Sequence, residues 1–210
     1  MKPIFAVIFS VVAASAALSA QIEVSKGIKA GINFTTFAGS QFSSTNSTIT
    51  QYLFGAFAEV KFLDKISLEP EVFYDIKGAK VTIKGGPMFL GGNGYAENDH
   101  FGYLEVPLLI KYYLPLSPAK LSVYAGPSVG FLLNAKAKSV LAGGDDSEID
   151  IMSQTASPDY GVVIGTGLNV PTGLIDATVD VRYDLGLKTV TTNGSHIYNR
   201  MLAVLVGVSL

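Results

Sequence analysis

The segment from Ile66 to Lys77 alternates between two kinds of side chain without interruption. One set is apolar and the other is mostly polar or charged: Ile66, Leu68, Pro70, Val72, Tyr74 and Ile76 against Ser67, Glu69, Glu71, Phe73, Asp75 and Lys77. A repeat of two residues is that of a β-strand, so one face of this strand is oily and the other is ionic. In a chain that is 49% hydrophobic, such a pattern indicates lipid on the oily side.

About eight segments carry this alternation. They span residues 28–35, 52–62, 66–77, 103–112, 121–134, 159–170, 175–188 and 202–210. After the first twenty residues, no uncharged apolar run approaches the ~18 residues of a membrane helix. The sequence therefore predicts an all-β fold: a closed antiparallel transmembrane β-barrel of about eight strands, with lipid outside and polar groups inside.

The connections between these segments alternate in length. Three are tight turns, at residues 63–65, 115–120 and 171–173, and four are long: 38–50, 78–100, 137–158 and 189–198. Short turns of outer-membrane barrels face the periplasm and long loops face outside, so both termini are expected in the periplasm. Pro70, Pro107 and Pro127 fall inside strands, where we expect bulges or breaks in the hydrogen-bond ladder.

Residues 1–20 have the pattern of a cleaved signal peptide. Lys2 is followed by an apolar stretch and then by small residues up to Ala20, which leaves residues 21–210 as one barrel domain. An uncleaved N-terminal anchor is the alternative. The mature chain has no cysteine and a formal charge of about −3, which gives no support for a disulfide framework or for nucleic acid as a partner.

The inward-facing positions are rich in ions. The predicted lumen network comprises Lys29, Glu59, Glu69, Glu71, Glu105, Lys111, Asp180, Arg182 and Asp184, with Arg182 as its hub between Asp180 and Asp184. A barrel of eight strands is filled by its own side chains, so these charges are expected to pair with one another rather than line a gated ion path. Inward glycines at 126, 130, 161, 165 and 167 are expected to leave room for long side chains from the opposite wall.

No motif predicts a catalytic, cofactor or metal site. His100 and His196 are expected in outer loops, and Ser195 beside His196 is a weak candidate for a lipid-modifying enzyme because adjacent residues on extended backbone point apart. The acidic stretch 145–150 lacks the spacing of an EF-hand, and the glycines at 85–94 lack the lysine of a phosphate-binding loop.

Five stretches resemble the small outer-membrane β-barrel family of Gram-negative bacteria that includes the PorT-like proteins. They are residues 27–34, 66–80, 103–109, 124–130 and 181–187. The resemblance implies an outer-membrane location and, from the role of PorT in protein secretion, partners in the envelope or its secretion machinery. The family often ends on an aromatic residue, whereas this chain ends on Leu210.

The expected function is therefore that of an integral outer-membrane barrel with a plugged polar lumen. It would act as a monomer, surrounded by outer-membrane lipid, and would bind or assist assembly through its extracellular loops, because those loops contain the residues that the barrel does not use. A small transport pore and, behind it, a membrane-embedded enzyme are the alternatives.

Overall fold

The computed structural model describes residues 23–39, 45–83, 95–141, 147–173, 175–192 and 196–210. The predicted signal peptide lies outside these residues. The described chain forms ten strands and one short 3-10 helix, Met152–Gln154. The strands are β1 (Glu23–Ala38), β2 (Thr45–Ser47), β3 (Ile49–Leu63), β4 (Ile66–Ile83), β5 (Tyr95–Leu116), β6 (Ala119–Leu141), β7 (Ser147–Asp150), β8 (Asp159–Pro171), β9 (Asp176–Gly186) and β10 (Tyr198–Ser209).

Eight of these strands close into a barrel in the order β1-β3-β4-β5-β6-β8-β9-β10, and β10 pairs back onto β1. Every pairing is antiparallel. The closing seam runs from Gly27 opposite Ser209 to Ala38 opposite Tyr198. The predicted closed antiparallel β-barrel of eight strands is therefore confirmed. No helix among the described residues is long and apolar enough to cross a membrane.

The two ends of the barrel differ. At one end, which we call the short-turn end, tight turns that include residues 64–65, 117–118 and 172–173 connect the strands. The start of β1 and the end of β10 lie there as well, because Lys26 and Leu210 exchange backbone hydrogen bonds of 3.1 and 2.9 Å. The three predicted tight turns are thus found at one end, as the alternation of loop lengths requires.

At the opposite end, the long-strand end, β4, β5 and β6 run far past their neighbours, with 18, 22 and 23 residues. The short strands β2 and β7 pair with the extensions of β4 and β6. The predicted loops at 78–100 and 137–158 were therefore too long, since much of each is strand. Polar residues such as Lys80 and Lys138 alternate there with buried Ala79 and Ala137, a pattern that a search for oily faces overlooks.

The prolines interrupt pairing without shifting it. The β4–β5 ladder lacks pairs between Pro70 and Phe73, and the β5–β6 ladder lacks them between Pro107 and Ile110, but the register continues unchanged on either side. The β5–β6 bulge lies elsewhere, at Gly102 and Tyr103 opposite Leu132 and Asn134. That bulge reverses the alternation of β6, so that Asn134, which the pattern placed inside, is exposed.

The outer wall of the barrel is an apolar band. Exposed large hydrophobic side chains occur on all eight barrel strands, for example Ile32, Phe54, Val72, Ile110, Phe131, Ile164, Val181 and Val206. Aromatic side chains near the two rims, among them Tyr52 and Tyr160 at one end and Phe62 at the other, are exposed on the same wall. Burial instead falls on the opposite parity, which faces the lumen.

Candidate functional site: the filled lumen

The predicted ionic residues line the inside of the barrel. Eight of the nine are buried, and the ninth, Glu59, is half-buried at the short-turn end. The reason is the two-residue repeat: a strand whose oily parity meets lipid must turn its charged parity inward. Because water is scarce in so narrow an interior, each charge has to find its partners across the lumen.

Lys29 is the centre of what we call the first ionic cluster. Its ammonium lies 2.6 Å from Glu69 Oε1, 2.8 Å from Glu71 Oε1 and 3.1 Å from Asp180 Oδ2. These acids stand on β4 and β9, each separated from β1 by one intervening strand. Lys29 therefore ties opposite flanks of the barrel together, and its ammonium also lies 4.5 Å from the centre of the Phe57 ring.

Two further cations complete the first ionic cluster. Lys111 lies 2.9 Å from Glu69 Oε2 and 3.9 Å from Glu59 Oε2. Arg182 donates from Nη1 to Glu71 Oε2 at 2.8 Å and packs its guanidinium 4.4 Å from the centre of the Phe73 ring. Three cations thus meet three buried acids, Glu69, Glu71 and Asp180, with the half-buried Glu59 as a fourth acid at the edge of the cluster.

The prediction that Arg182 would be the hub between Asp180 and Asp184 was wrong. Asp180 pairs with Lys29 and Asp184 pairs with Lys77, 2.8 Å away. Residues i and i+2 on one face of a strand stand about 7 Å apart and side by side. In β9 the side chains of Asp180, Arg182 and Asp184 instead reach partners on other strands.

Lys77 is the centre of a second ionic cluster, nearer the long-strand end. Its ammonium lies 2.8 Å from Asp184 Oδ2, 3.0 Å from Glu105 Oε2 and 3.8 Å from Asp75 Oδ2. Oxygens of these three carboxylates all lie within 4.8 Å of one another, a grouping that could hold a cation. The chain itself supplies one there, because the Lys77 ammonium contacts all three.

Neutral side chains support the second cluster. Asn33 donates to Asp75 Oδ1 at 2.6 Å, and Asn199 donates to Asp159 Oδ2 at 2.8 Å. Asp75 and Lys77 belong to the polar set of the segment 66–77, and Asp159 begins the segment 159–170, but none of the three is among the nine predicted network residues. Asn199 was missed because it lies between the predicted loop 189–198 and the predicted strand 202–210.

An apolar cluster lies beyond the second ionic cluster, at the long-strand end. Its buried members come from four strands and one connection: Phe37, Ala79, Phe101, Tyr103, Leu132, Ala135 and Val190. Phe37 and Phe101 pack with ring centres 5.7 Å apart. We call these residues the apolar cap. Sequence reasoning missed it, because most of its residues fall within or next to the segments predicted as loops.

The short-turn end is more open. A cavity of about 220 Å³ is lined there by Glu23, Lys61, Lys65, Lys120 and other polar residues. Its inner boundary includes Tyr113, whose hydroxyl donates to both oxygens of Glu59 at 2.7 and 2.9 Å. From this cavity toward the long-strand end, the described lumen contains first polar side chains, then the two ionic clusters, and then the apolar side chains around Phe101.

The inward glycines accommodate neighbours rather than the opposite wall. A Cβ at Gly165 would lie 2.6 Å from the ring of Tyr124, its direct partner on β6. A Cβ at Gly161 would lie 2.8 Å from Ser128 Oγ, again on the paired residue. The expectation that these glycines leave room for the opposite wall was therefore wrong, because large side chains lie flat over the adjacent strand.

The rejected chemical candidates do not come together in the described chain. His100 lies within β5 rather than in a loop, and His196 is exposed near β10. Ser195, the glycines at 85–94 and the acids at 145–146 lie outside the described residues. Glu148 and Asp150 lie on β7, where Glu148 pairs with Lys136 at 2.6 Å.

A closed barrel with an apolar outer wall and a charged, filled lumen defines an outer-membrane β-barrel protein. The chain belongs to the family described as outer membrane protein beta-barrel domain, whose model matches residues 15–192. It is therefore located in the outer membrane. No curated protein matches the chain in sequence.

Several solved outer-membrane barrels are similar to this chain at low sequence identity. Neisserial surface protein A is 15% identical with a TM-score of 0.48, over 88% of this chain and 96% of that chain. Ail, the attachment invasion locus protein of Yersinia pestis, is 12% identical with a TM-score of 0.45, over 90% and 99%. OprG of Pseudomonas aeruginosa is 11% identical with a TM-score of 0.44, over 90% and 97%.

Proposed function

We propose that this protein is a plugged outer-membrane barrel that binds another envelope protein through its long-strand end, in support of envelope assembly or protein secretion. The observation that carries the proposal is the content of the lumen: two ionic clusters centred on Lys29 and Lys77, followed by the apolar cap around Phe101. A lumen filled in this way supports a role at the surface of the barrel rather than through it.

The proposed orientation places both termini in the periplasm and the long-strand end outside the cell. The short turns, the start of β1 and the end of β10 share one rim, whereas the extended strands β4, β5 and β6 project from the other. Bacterial barrels of this kind keep short turns on the periplasmic side. The eight barrel strands leave no unpaired edge, which supports a monomer as the working form.

The partner-binding surface is proposed on β7 and the turn that follows it. Ile149 and Met152 expose 52% and 42% of their surfaces there, above the extended sheet and away from the apolar band. Contiguous apolar patches outside a membrane mark protein-binding surfaces, and we propose that these two side chains belong to such a patch. The PorT-like resemblance of the sequence supports a partner from the secretion machinery.

Single-cysteine labelling tests the orientation, and the natural chain, which has no cysteine, gives no background. Met152→Cys at the long-strand end should react with a membrane-impermeant maleimide on intact cells. Thr172→Cys, exposed in a short turn, should react only after the outer membrane is opened. The reverse pattern would overturn the orientation.

Photo-crosslinking in the native envelope tests the binding role. A photoreactive amino acid at position 149 should capture a defined protein, and Met152→Asp should abolish that crosslink while leaving the barrel folded. The same probe at position 172 serves as the matched control. Crosslinks from position 172 alone would contradict binding at the long-strand end and would favour a periplasmic partner.

Planar-bilayer recording separates this proposal from the transport pore. The natural protein should show no large, stable conductance, because ion pairs and apolar side chains occupy the lumen. A steady open channel would overturn the plugged barrel and replace it with the pore.

A further inference from the structure

A group of basic residues lies on the outward face of the extended sheet. Lys80 on β4 and Lys136 and Lys138 on β6 are exposed, and His100 on β5 is half-buried between them. The strand register aligns them in two rows: Lys80, Asn98 and Lys138 form one, and Gly78, His100 and Lys136 form the other. We call Lys80, His100, Lys136 and Lys138 the basic patch.

The basic patch begins where the apolar band ends. On β4 the outward positions run from Ile76 through Gly78 to Lys80, and on β5 from Leu104 through Gly102 to His100. On β6, the exposed Leu133 is followed by the bulge and then by Lys136. The ammonium groups therefore lie at the level where the hydrocarbon of the membrane gives way to lipid headgroups.

Other strands carry fewer cations at this height. Arg200 on β10 donates from Nη1 to the carbonyl oxygens of Gly186 and Asn199, at 2.7 and 2.9 Å. The Lys188 ammonium donates to the carbonyl oxygen of Pro158 at 2.8 Å. By contrast, Lys136 pairs with the exposed carboxylate of Glu148, a contact that is easily exchanged for another anion because both side chains are more than half exposed.

We infer that the basic patch binds the phosphate groups of the lipopolysaccharide in the outer leaflet, and so fixes a glycolipid beside the β4–β5–β6 sector. Neighbouring strands lie about 4.8 Å apart and alternate residues about 7 Å apart, which gives the patch a size of about 10 by 7 Å. That is the scale of a phosphorylated sugar headgroup. Lysine ammonium groups bind phosphate by charge-assisted hydrogen bonds.

This inference rests on the proposed orientation, which sets the patch against the outer leaflet. It names a lipid contact that differs in kind from the protein partner proposed at Ile149 and Met152. The two therefore fail separately, because lipid binding is measured on the purified barrel and the protein partner is sought in the native envelope.

The test compares binding of phosphorylated and enzymatically dephosphorylated lipopolysaccharide to the purified full-length mature chain in neutral detergent. The natural protein should bind the phosphorylated form more tightly, and added salt should weaken that binding. The triple variant K80Q/K136Q/K138Q should lose about tenfold or more in affinity, since each lysine near an anionic surface contributes about a fivefold factor. The variant K26Q/K65Q/K120Q removes three exposed lysines from the short-turn end and should bind within about twofold of the natural protein.

Three outcomes would overturn the inference. The first is equal binding of the two lipopolysaccharide forms, and the second is an equal loss of affinity in both triple variants. The third is displacement of bound lipopolysaccharide by a soluble sulfated polysaccharide that binds the protein as tightly as the lipopolysaccharide does. If the first triple variant fails to fold, as judged by loss of the heat-dependent gel shift of a β-barrel, the comparison of the two lipid forms and the salt dependence on the natural protein decide the question.

Discussion

At the scale of single residues, the lumen depends on a few cations that each serve several acids. Lys77 contacts Asp75, Glu105 and Asp184, and all four side chains are buried. Removing such a cation leaves acids without compensation in a dry interior, whereas removing an exposed one changes little. Stability should therefore be distributed very unevenly among lysines that look alike in the sequence.

Lys77→Met should destabilise the barrel by about 3–5 kcal/mol, because three carboxylates lose their common partner. Lys61→Met is the matched control: Lys61 lines the open cavity at the short-turn end and pairs there with the exposed Glu23 at 3.5 Å, so its loss should cost less than about 1 kcal/mol. Urea unfolding of both variants in detergent, with the heat-dependent gel shift as the readout, measures the difference in their free energies of unfolding. Equal losses would contradict the assignment of the second ionic cluster.

The free-energy cost of a charged substitution on the outer wall should depend on its depth in the membrane. Val181 lies at the middle of β9 and faces lipid, so Val181→Arg should cost roughly 2–4 kcal/mol. Val24→Arg, on an equally apolar outward position at the short-turn rim, should cost about 0–1 kcal/mol. Unfolding free energies in lipid vesicles provide the comparison, and similar costs at both sites would refute the placement of the bilayer.

Sequence predicted which face each of these residues occupies but not which partner it contacts. The parity of β4 places Glu69, Glu71 and Lys77 inside, and that much follows from the two-residue repeat. Whether Lys29 meets Glu71 or Asp180 depends on strand tilt and stagger, which the alternation does not encode. This is why Arg182, flanked by acids in the sequence, was mistaken for the hub.

At the scale of strands, close packing joins β6 and β8 through a large residue opposite a small one. The ring of Tyr124 lies over Gly165, where an added Cβ would come within 2.6 Å of it. The Tyr124 ring can occupy this position only because residue 165 has no side chain.

Gly165→Val should destabilise the barrel by about 1–3 kcal/mol through overpacking against Tyr124. Tyr124→Ala should relieve that clash, so the double variant should be more stable than the sum of the two single losses predicts. A double-mutant cycle of urea unfolding measures the coupling, which we expect to be about 1 kcal/mol or more. Strict additivity would show that the two residues do not touch.

The extensions of β4, β5 and β6 show where strand prediction fails. Beyond Ile76 the outward positions become Gly78 and Lys80, so the oily repeat that marks a membrane strand ends. The strands nevertheless continue, because the buried parity, with Ala79, Val81 and Ala137, still packs inward. A search for lipid-facing residues therefore finds the membrane portion of a strand rather than the whole strand.

At the scale of the whole molecule, closure depends on the seam between β1 and β10. Deleting residues 206–210 removes the partners of residues 27–30, and the barrel should then lose its heat-dependent gel shift. Leu210→Ala keeps the terminal backbone and changes only a side chain that is 74% exposed, so it should fold. A truncated chain that still forms a heat-resistant compact band would show that the seam is dispensable.

The same seam also affects how the barrel folds. The second neighbour of the first strand is the last strand of the chain, some 180 positions later, and contacts of such large sequence separation are slow to form. Before the barrel closes, the sheet has two unpaired edge strands, and each can pair with another extended chain. Separate copies of the unfolded chain must therefore be kept apart until they reach the outer membrane, because the risk of aggregation is greatest before the barrel closes.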